Sequence, residues 1–129
     1  MFVWDFNKAR GEQAAKKYNA RYEENLEKVL ADSAVEAVVI EAPTTMHTEL
    51  ILAAIAHGKH LFVDKPLAPT MTEALEIKAA LEASSCRFVL SLESFISGSY
   101  RFVKEQIEAG TIGDVVSVYF RRAHGGVLH

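Results

Sequence analysis

The chain has 129 residues, of which 50% are hydrophobic and 24% charged, and its formal net charge is -3. This length suits one domain with a buried core, and the weak charge gives no electrostatic reason to expect nucleic acid or an anionic membrane as a partner. The apolar stretch at the N-terminus is too short for a signal peptide, and no later run reaches the roughly 18 apolar residues that cross a bilayer. We therefore expect a cytoplasmic protein.

The first part of the chain pairs a short strand with two helices. Residues 1–4 (MFVW) predict the first strand, and residues 7–22, rich in Ala, Lys, Glu and Arg, predict an exposed helix. Residues 25–32 place three apolar side chains on one face of a second helix. Both helices are expected to be amphipathic.

In the middle of the chain, a further predicted strand is again followed by a predicted helix. The unbroken apolar run at residues 38–40 predicts a strand covered on both faces, which Pro43 ends. From Thr45 the pattern becomes helical, and Gly58 is placed to cap the C-terminus of that helix.

A further strand, helix and strand follow. Residues 60–63 (HLFV) and 87–92 (RFVLSL) read as strands, and Thr70 and Glu73 have capping-box spacing at the start of the helix between them. Strands that alternate with helices in this way form βαβ units, so the sequence predicts an α/β fold with a parallel sheet.

The last part of the chain differs in character. A helix is predicted to end near Gly110, a turn follows, and residues 115–122 (VVSVYFRR) alternate like a strand of a half-exposed sheet. We interpret this part as the opening of a second layer or domain.

Chemically useful residues recur where the predicted strands end. Asp5 follows the first strand, Pro43 follows the second, Lys65 the third and Glu93 the fourth. In open parallel sheets, ligands bind beyond the carboxyl ends of the strands. The recurrence therefore predicts a ligand site along one edge of the sheet.

Asp5 has the position of a ribose-binding carboxylate. A carboxylate that ends a strand just before a helix can accept hydrogen bonds from the ribose hydroxyls of a dinucleotide. It would favour NAD, because its charge repels the 2′-phosphate of NADP. The alternative is that Asp5 only caps the helix or lies in a turn.

The segment after Pro43 begins a predicted helix. Thr44 and Thr45 supply backbone and hydroxyl donors there, and the helix dipole favours a negatively charged ligand group. His47, on the first turn, would reach into the same cleft. The alternative is that His47 is an ordinary polar residue of the surface.

Lys65 lies between an apolar strand and Pro66, whose ring restricts where the ammonium group can point. It could hydrogen-bond a substrate hydroxyl and, if burial favours its neutral form, help to move a proton. The alternative is a surface lysine at a strand end. Taken alone, Asp64 and Glu93 are expected to have solvated or capping roles.

The remaining candidates for site chemistry give weaker signals. His57, His60, His124 and His129 lack the spacing and the companions of a metal site, so we predict no metal. Cys86 is the only cysteine. It cannot form an internal disulfide, and its place before an apolar strand predicts a small buried side chain.

Residues 37–75 combine several motifs. In order they are a strand, Ala42-Pro43, His47, an "AHGKH" segment, a second strand and Asp64-Lys65-Pro66. This combination closely resembles the Gfo/Idh/MocA family of NAD(P)-dependent oxidoreductases, in which a Rossmann domain precedes an α/β substrate domain. The later "IEAGTIGDVVSV" is similar to the family's entry into the substrate domain.

The resemblance implies hydride transfer between NAD or NADP and a sugar, polyol or related small molecule. The charge of Asp5 slightly favours NAD. It implies that Lys65 contacts the reacting hydroxyl. It further implies cofactor contacts from Asp5, Pro43, Thr44, His47, the Asp64 backbone and the adjoining Pro66. Asp64 stands where the family usually has glutamate, which is a mild change if the backbone makes the contact.

Compared with the family pattern, the sequence opens at the second strand, without the first strand and its glycine-rich pyrophosphate loop. We expect a partial NAD(P)-binding Rossmann domain over residues 1–97 and the start of an α/β substrate domain over residues 98–129. The missing strand would lie in the middle of the sheet. Its absence would expose two strand edges, so we expect an obligate homo-oligomer or a rearranged sheet.

Two functions follow from these expectations. The first is a truncated or fragmentary oxidoreductase that is inactive by itself, because the nicotinamide would lack the pyrophosphate anchor that positions it. The second is a non-catalytic interaction or assembly module that uses open strand edges to bind a partner or itself.

Overall fold

A computed structural model describes residues 1–92 and 97–121, and in these ranges strands and helices alternate. The strands are β1 (Phe2–Val3), β2 (Arg21–Tyr22), β3 (Ala37–Ile40), β4 (His60–Val63) and β5 (Phe88–Leu90). The helices are α1 (Lys8–Lys17), α2 (Leu26–Ala31), α3 (Thr44–Ala56), α4 (Met71–Glu82) and α5 (Gly98–Glu108). Over the described ranges, no helix combines the length and the apolar character that crossing a bilayer requires.

The chain divides into two compact units, Met1–Ser91 and the residues from Leu92 onward. This division lies a few residues before the boundary that we predicted after residue 97. The assignment of the second unit to a substrate domain stays a prediction.

The first unit contains two parallel sheets. β1 pairs with β2, and β4 lies between β3 and β5 in a three-stranded sheet. The α/β class with parallel strands is therefore confirmed. β1 and β3 do not pair with each other, so each has one edge without a strand neighbour in the described part of the chain.

β2 replaces the end of a predicted helix. The composition of residues 7–22 favours a helix throughout, but α1 ends at Lys17 and Asn19 has a φ of 50°. The chain then turns back, and the Arg21 N–H donates to the Met1 carbonyl at 3.2 Å. The extent predicted for this helix is wrong, because backbone pairing with β1 outweighs local helix propensity.

β3 is covered on only one face. Ile40 belongs to the buried core with Leu61 and Val63, whereas the Val39 side chain is 68% exposed. Val39 lies opposite Phe62, and Phe62 lies opposite Val89, so three exposed apolar side chains form a row across the sheet. The prediction of two covered faces is wrong, because helices α3 and α4 pack against the other face.

The predicted helix ends around this core are confirmed. Gly58 follows α3 with a φ of +67°, a conformation that glycine adopts without strain. The Thr70 hydroxyl accepts from the Glu73 N–H at 3.3 Å and donates to the Glu73 carboxylate at 2.6 Å. Glu73 also accepts from the Thr48 hydroxyl at 3.2 Å, which ties α4 to α3.

The second unit contains α5, which ends before Gly110, as predicted. Residues 115–121 have no regular secondary structure, so the strand predicted over residues 115–122 is wrong for its described part. A strand is stabilised by hydrogen bonds to a neighbouring strand. These residues have no such neighbour in the described ranges.

His57 connects α3 to α2 through an interaction that depends on protonation. Its Nδ1 lies 2.9 Å from the Ala53 carbonyl, and its Nε2 lies 2.8 Å from the Glu27 carboxylate. The Ala53 carbonyl and then Glu27 raise the pKa of His57 above its ordinary value. The folded state therefore binds the proton more tightly than the unfolded chain does.

We expect the stability contributed by His57 to be fully present below its unfolded pKa of about 6.5 and to be lost as pH rises through the higher folded value. Glu27→Gln should lower the His57 pKa and flatten the dependence of urea unfolding on pH in this window. NMR titration of the His57 ring measures the shift. Glu12→Gln, on α1, is the matched control, and an equal change in that variant would contradict the assignment.

Candidate functional site

The carboxyl ends of β3, β4 and β5 form one edge of the three-stranded sheet, here called the carboxyl rim. The Asp64 N–H donates to the Ile40 carbonyl at 3.0 Å, and the Ser91 N–H donates to the Val63 carbonyl at 2.8 Å. Backbone pairing thus continues one residue beyond the strands. It fixes the positions from which the loops after β3, β4 and β5 begin.

His47 joins two of these loops. It is 1% exposed, its Nε2 lies 2.9 Å from the Ala42 carbonyl and its Nδ1 lies 2.9 Å from the Pro66 carbonyl. The expected alternative of an ordinary surface histidine is wrong, because both ring nitrogens are occupied by backbone oxygens inside the fold. In this geometry His47 holds the loop after β3 against the loop after β4.

The start of α3 lies on the carboxyl rim beside these contacts. Pro43 is its N-terminal cap residue and is exposed, and Thr44 is the half-buried first residue of the helix. No side chain caps this end, and the first turn contains no acidic residue. The Met46 N–H donates to the Pro43 carbonyl at 2.8 Å, so the N–H groups of Thr44 and Thr45 and the positive end of the dipole are what the helix offers to an anionic ligand group.

Lys65 and Pro66 are exposed on the same rim, next to half-buried Asp64. In the described part of the chain, Lys65 makes no ion pair and no side-chain hydrogen bond. The expectation that burial acts on its ammonium group is wrong. The Asp64 N–H is used by the Ile40 carbonyl, which leaves the Asp64 carbonyl as the backbone group that can contact a ligand.

The buried lysine is Lys59, which our sequence reasoning missed. It is 7% exposed, and its ammonium group donates to the Asp32 carbonyl at 2.8 Å, just beyond the C-terminus of α2. A cation at that end of a helix complements the dipole. Its position directly after the capping Gly58 and before a buried strand could have indicated from the sequence that Lys59 is buried.

Asp5, after β1, is engaged by Arg10 of α1. Arg10 Nε donates to Asp5 Oδ2 at 2.6 Å, Arg10 Nη2 donates to Asp5 Oδ1 at 2.9 Å, and the Asn7 N–H donates to Asp5 Oδ1 at 2.7 Å. The Arg10 hydrogen bond lowers the pKa of Asp5 and raises the pKa of Arg10. Sequence reasoning did not select Arg10. Its position in the first turn of the helix, five residues after Asp5, could have indicated an ion pair between the two side chains.

A cleft of about 490 Å³ separates the two sheets. Asp5, Phe6 and Arg10 line it beside Glu41 and Ala42. Glu36 and apolar residues of β1, β3, α2, α3 and the adjoining loops line the remainder. Its volume lies within the usual range for small-molecule sites. The structure thus brings Asp5 and the loop after β3 to one cleft, whereas Pro43, Thr44, His47, Asp64, Lys65 and Pro66 do not line it.

Gly11 allows α1 to approach Asp5. A methyl group at this buried position would lie 2.9 Å from Tyr22 Cδ2 and 3.1 Å from Asp5 Cβ, both inside ordinary contact distance. The absence of a side chain at Gly11 therefore sets the distance between the helix that carries Arg10 and the strand that leads to Asp5.

We expect Gly11→Ala to lower the free energy of unfolding by about 1–3 kcal/mol through overpacking, which exceeds the gain of about 1 kcal/mol in helix propensity. It should also loosen the Asp5–Arg10 pair, so that the Asp5 pKa rises toward its ordinary value. Urea unfolding and carboxylate NMR titration measure the two effects. The matched control is Gly98→Ala, since nothing lies within 4 Å of the added methyl group there. A Gly11 variant as stable as this control would contradict the packing argument.

Several candidates named from the sequence remain. Glu93 and the C-terminal histidines His124 and His129 lie outside the described residues. Among residues 1–92 and 97–121, no group of three or more His, Cys, Asp or Glu side chains could hold a metal ion. Half-buried Cys86 packs against the core of the first unit.

The chain is similar to several known oxidoreductases. scyllo-Inositol 2-dehydrogenase (NAD(+)) of Bacillus subtilis is 35% identical over 115 residues, which are 86% of this chain and 33% of that protein. An NAD-binding oxidoreductase of Klebsiella pneumoniae has a TM-score of 0.79 at 27% identity, over 87% of this chain and 30% of that one. A 3-ketoreductase of Actinomadura kijaniata, solved with NADP, shares the fold with a TM-score of 0.76 at 21% identity, over 88% of this chain and 35% of that one.

The match covers only part of the length of each relative. The chain spans between a quarter and a third of the length of the first three curated relatives that it matches. The family described as "Oxidoreductase family, NAD-binding Rossmann fold" matches residues 1–92, which include β1 to β5 and the carboxyl rim. The chain therefore belongs to the Gfo/Idh/MocA family of NAD(P)-binding oxidoreductases.

Proposed function

We propose that this chain supplies the cofactor-binding part of a dehydrogenase that transfers hydride between NAD(P) and a polyol or sugar, with inositols as the first substrates to test. The observation that carries the proposal is the carboxyl rim. There the exposed side chain of Lys65 and the start of α3 belong to adjacent loops, which His47 holds together. The Bacillus subtilis relative, whose name states an inositol substrate, supports this substrate class.

The residues fit a dinucleotide at two places. Asp5 lies at the end of β1, where a carboxylate can contact an adenosine ribose, and the cleft beside it has room for a ligand group. The start of α3 offers N–H groups and no competing acid to an anionic group. When bound, the nicotinamide supplies the acceptor or donor of the hydride.

Lys65 would act by electrostatics. As hydride leaves the carbon of an alcohol, negative charge develops on its oxygen, and an ammonium group within hydrogen-bond distance stabilises that charge. As an ammonium group, Lys65 would donate hydrogen bonds to the hydroxyl oxygen and orient it, and the hydroxyl proton would pass to a separate base.

His47 would be a positioning residue, with no direct contact to the cofactor. Its ring occupies the space between the loops after β3 and β4, and both ring nitrogens face backbone carbonyls. Thr44 follows one of these contacts along the chain, and Lys65 precedes the other. Through this arrangement, His47 would set the spacing between the start of α3 and the ammonium group.

A second candidate is an assembly module without catalysis. The exposed row of Val39, Phe62 and Val89, together with the unpaired edge of β3, supports it because such surfaces bind other chains. Calorimetric titration of the chain with NAD and, separately, with NADP distinguishes the candidates. Micromolar binding of either supports the dehydrogenase. No binding by a chain that sediments as a stable oligomer supports the assembly module.

The role of Lys65 can be tested in a chimera in which this chain replaces the matched segment of the Bacillus subtilis dehydrogenase. With scyllo-inositol and NAD, Lys65→Ala should lower kcat by about 100-fold or more, the usual effect of removing one group that stabilises a developing oxyanion. The Kd for NAD should change by less than about threefold, because Lys65 is assigned to the substrate hydroxyl.

Lys78→Ala is the matched control for this variant. Lys78 is an exposed lysine of α4 that forms an ion pair with Glu82, four residues on along the same helix. Its removal should leave kcat and the Kd for NAD unchanged. Equal activity in the Lys65 and Lys78 variants would contradict the assignment of Lys65 to the substrate hydroxyl.

A further inference from the structure

The exposed apolar row belongs to a sheet face whose two ends differ in charge. This face, here called the open face, is the side of the three-stranded sheet turned away from α3 and α4. Val39, Phe62 and Val89 lie across its middle and are exposed. Side chains alternate along a strand, so the residues two positions before and two after each of these lie on the same face. The open face therefore has three rows.

The row at the start of the strands is cationic. It contains Ala37, His60 and Arg87, all exposed. The Arg87 N–H donates to His60 Nδ1 at 3.1 Å, which ties the imidazole ring to β5. With Nδ1 as acceptor, the neutral ring carries its hydrogen on Nε2, so His60 can donate one hydrogen bond. This end of the open face thus presents a guanidinium group and an N–H group.

The row at the carboxyl ends of the strands is acidic. The Asp64 N–H donates to the Ile40 carbonyl at 3.0 Å, so the ladder and its alternation continue to Asp64. Glu41 lies opposite Asp64 in this register, and Ser91 is the third member of the row. Glu41 is exposed and Asp64 is half-buried. Two carboxylates therefore lie at one end of the apolar row, and one guanidinium lies at the other.

Neighbouring charges leave this pattern in place. Glu36 and Lys59 directly precede members of the cationic row, so alternation turns their side chains toward the other side of the sheet. Lys65 lies beyond the ladder and adds one positive charge near the acidic row, which keeps a net negative charge. Arg10 lines the cleft that adjoins the acidic row, and Asp5 holds it through two hydrogen bonds.

We propose that the open face is a self-association surface that binds a second copy of this chain. A two-fold axis that runs along the apolar row, across the strands, relates the two copies. Each apolar side chain then meets its own counterpart, and the cationic row of each copy lies over the acidic row of the other. Arg87 and the His60 Nε2–H thereby reach Asp64 of the second copy. An axis along the strands would place acidic row on acidic row, so the charges select the first arrangement.

The size of the open face sets the strength of this contact. The three strands and the span of residues 37–41 give a face of about 14 Å by about 17 Å. This is well below the roughly 800 Å² that each partner buries in a stable complex, so the dimer is weak, with a Kd on the order of 100 μM. The inference names a partner for the exposed row and does not depend on the proposed cofactor function.

Sedimentation equilibrium of the full chain without nucleotide, at concentrations up to about 1 mM, measures the dimer. Val89→Lys should weaken dimerisation by about tenfold or more, because the two-fold axis brings two new ammonium groups together. The matched control is Leu75→Lys on α4, since Leu75 is 57% exposed and Val89 is 53% exposed. The control should leave the Kd of the dimer within about twofold.

An exchange of charges tests the pairing itself. Arg87→Glu and Asp64→Arg each bring like charges together across the contact, so each variant by itself should dimerise about tenfold more weakly than the unaltered chain. In an equimolar mixture the two variants offer each other opposite charges at both ends of the apolar row. A mixed dimer should therefore form with a Kd within about threefold of that of the unaltered chain.

A second measurement needs no substitution. In a mixture of isotope-labelled and unlabelled chains, isotope-filtered NOEs should connect the Phe62 ring of one copy to the methyl groups of Val39 and Val89 of the second copy. Amide spectra show whether each variant is folded. If either charge variant fails to fold, these NOEs decide the question.

The outcomes separate this inference from the proposed function. A chain that stays monomeric at about 1 mM overturns the inference, and so does a dimer that Val89→Lys and Leu75→Lys affect equally. A mixture of the folded charge variants that does not recover dimerisation overturns it as well. None of these measurements involves a nucleotide, so NAD binding by a monomeric chain would support the proposed function while this inference fails.

Discussion

The contacts of buried His47 with the carbonyls of Ala42 and Pro66 are the interaction on which the candidate site depends. The His47 ring is buried, and a buried polar group without a hydrogen-bond partner costs free energy, so these contacts favour one relative placement of the two loops. The ladder bond between Asp64 and Ile40 places the start of the second loop from the other side. Together they fix where α3 begins relative to Lys65, which is the arrangement that positioning a substrate hydroxyl requires.

A second constraint operates at the other sheet. Gly11 lets α1 lie against Tyr22 and Asp5 at a distance that a larger residue would not allow. This approach brings the first turns of α1 close enough for Arg10 to reach the carboxylate at the end of β1. The net charge beside Asp5 therefore depends on how α1 packs. Asp5 considered alone would suggest an uncompensated negative charge, which the Arg10 guanidinium offsets.

The two sheets belong to one compact unit but share no strand pair. The cleft between them has Asp5 at the end of one sheet's strand and Ala42 at the end of another, with apolar side chains from α2 and α3 between. The exposed apolar row on the three-stranded sheet adjoins this cleft, because Val39 belongs to the row and also lines the cleft. The cleft suits a small ligand, and the apolar row suits another protein chain.

The sequence by itself determined the α/β class, the three longer strands, the caps at Gly58 and Thr70 and the family, because each depends on local periodicity, turn chemistry or a contiguous motif. Only the tertiary structure decided that residues 21 and 22 pair as a strand, that His47 is buried and Lys65 exposed, and that Arg10 neutralises Asp5. Those outcomes depend on which elements approach each other. Residues far apart in the chain supply the backbone acceptors, the covering side chains and the opposite charges, and no local pattern records their distances.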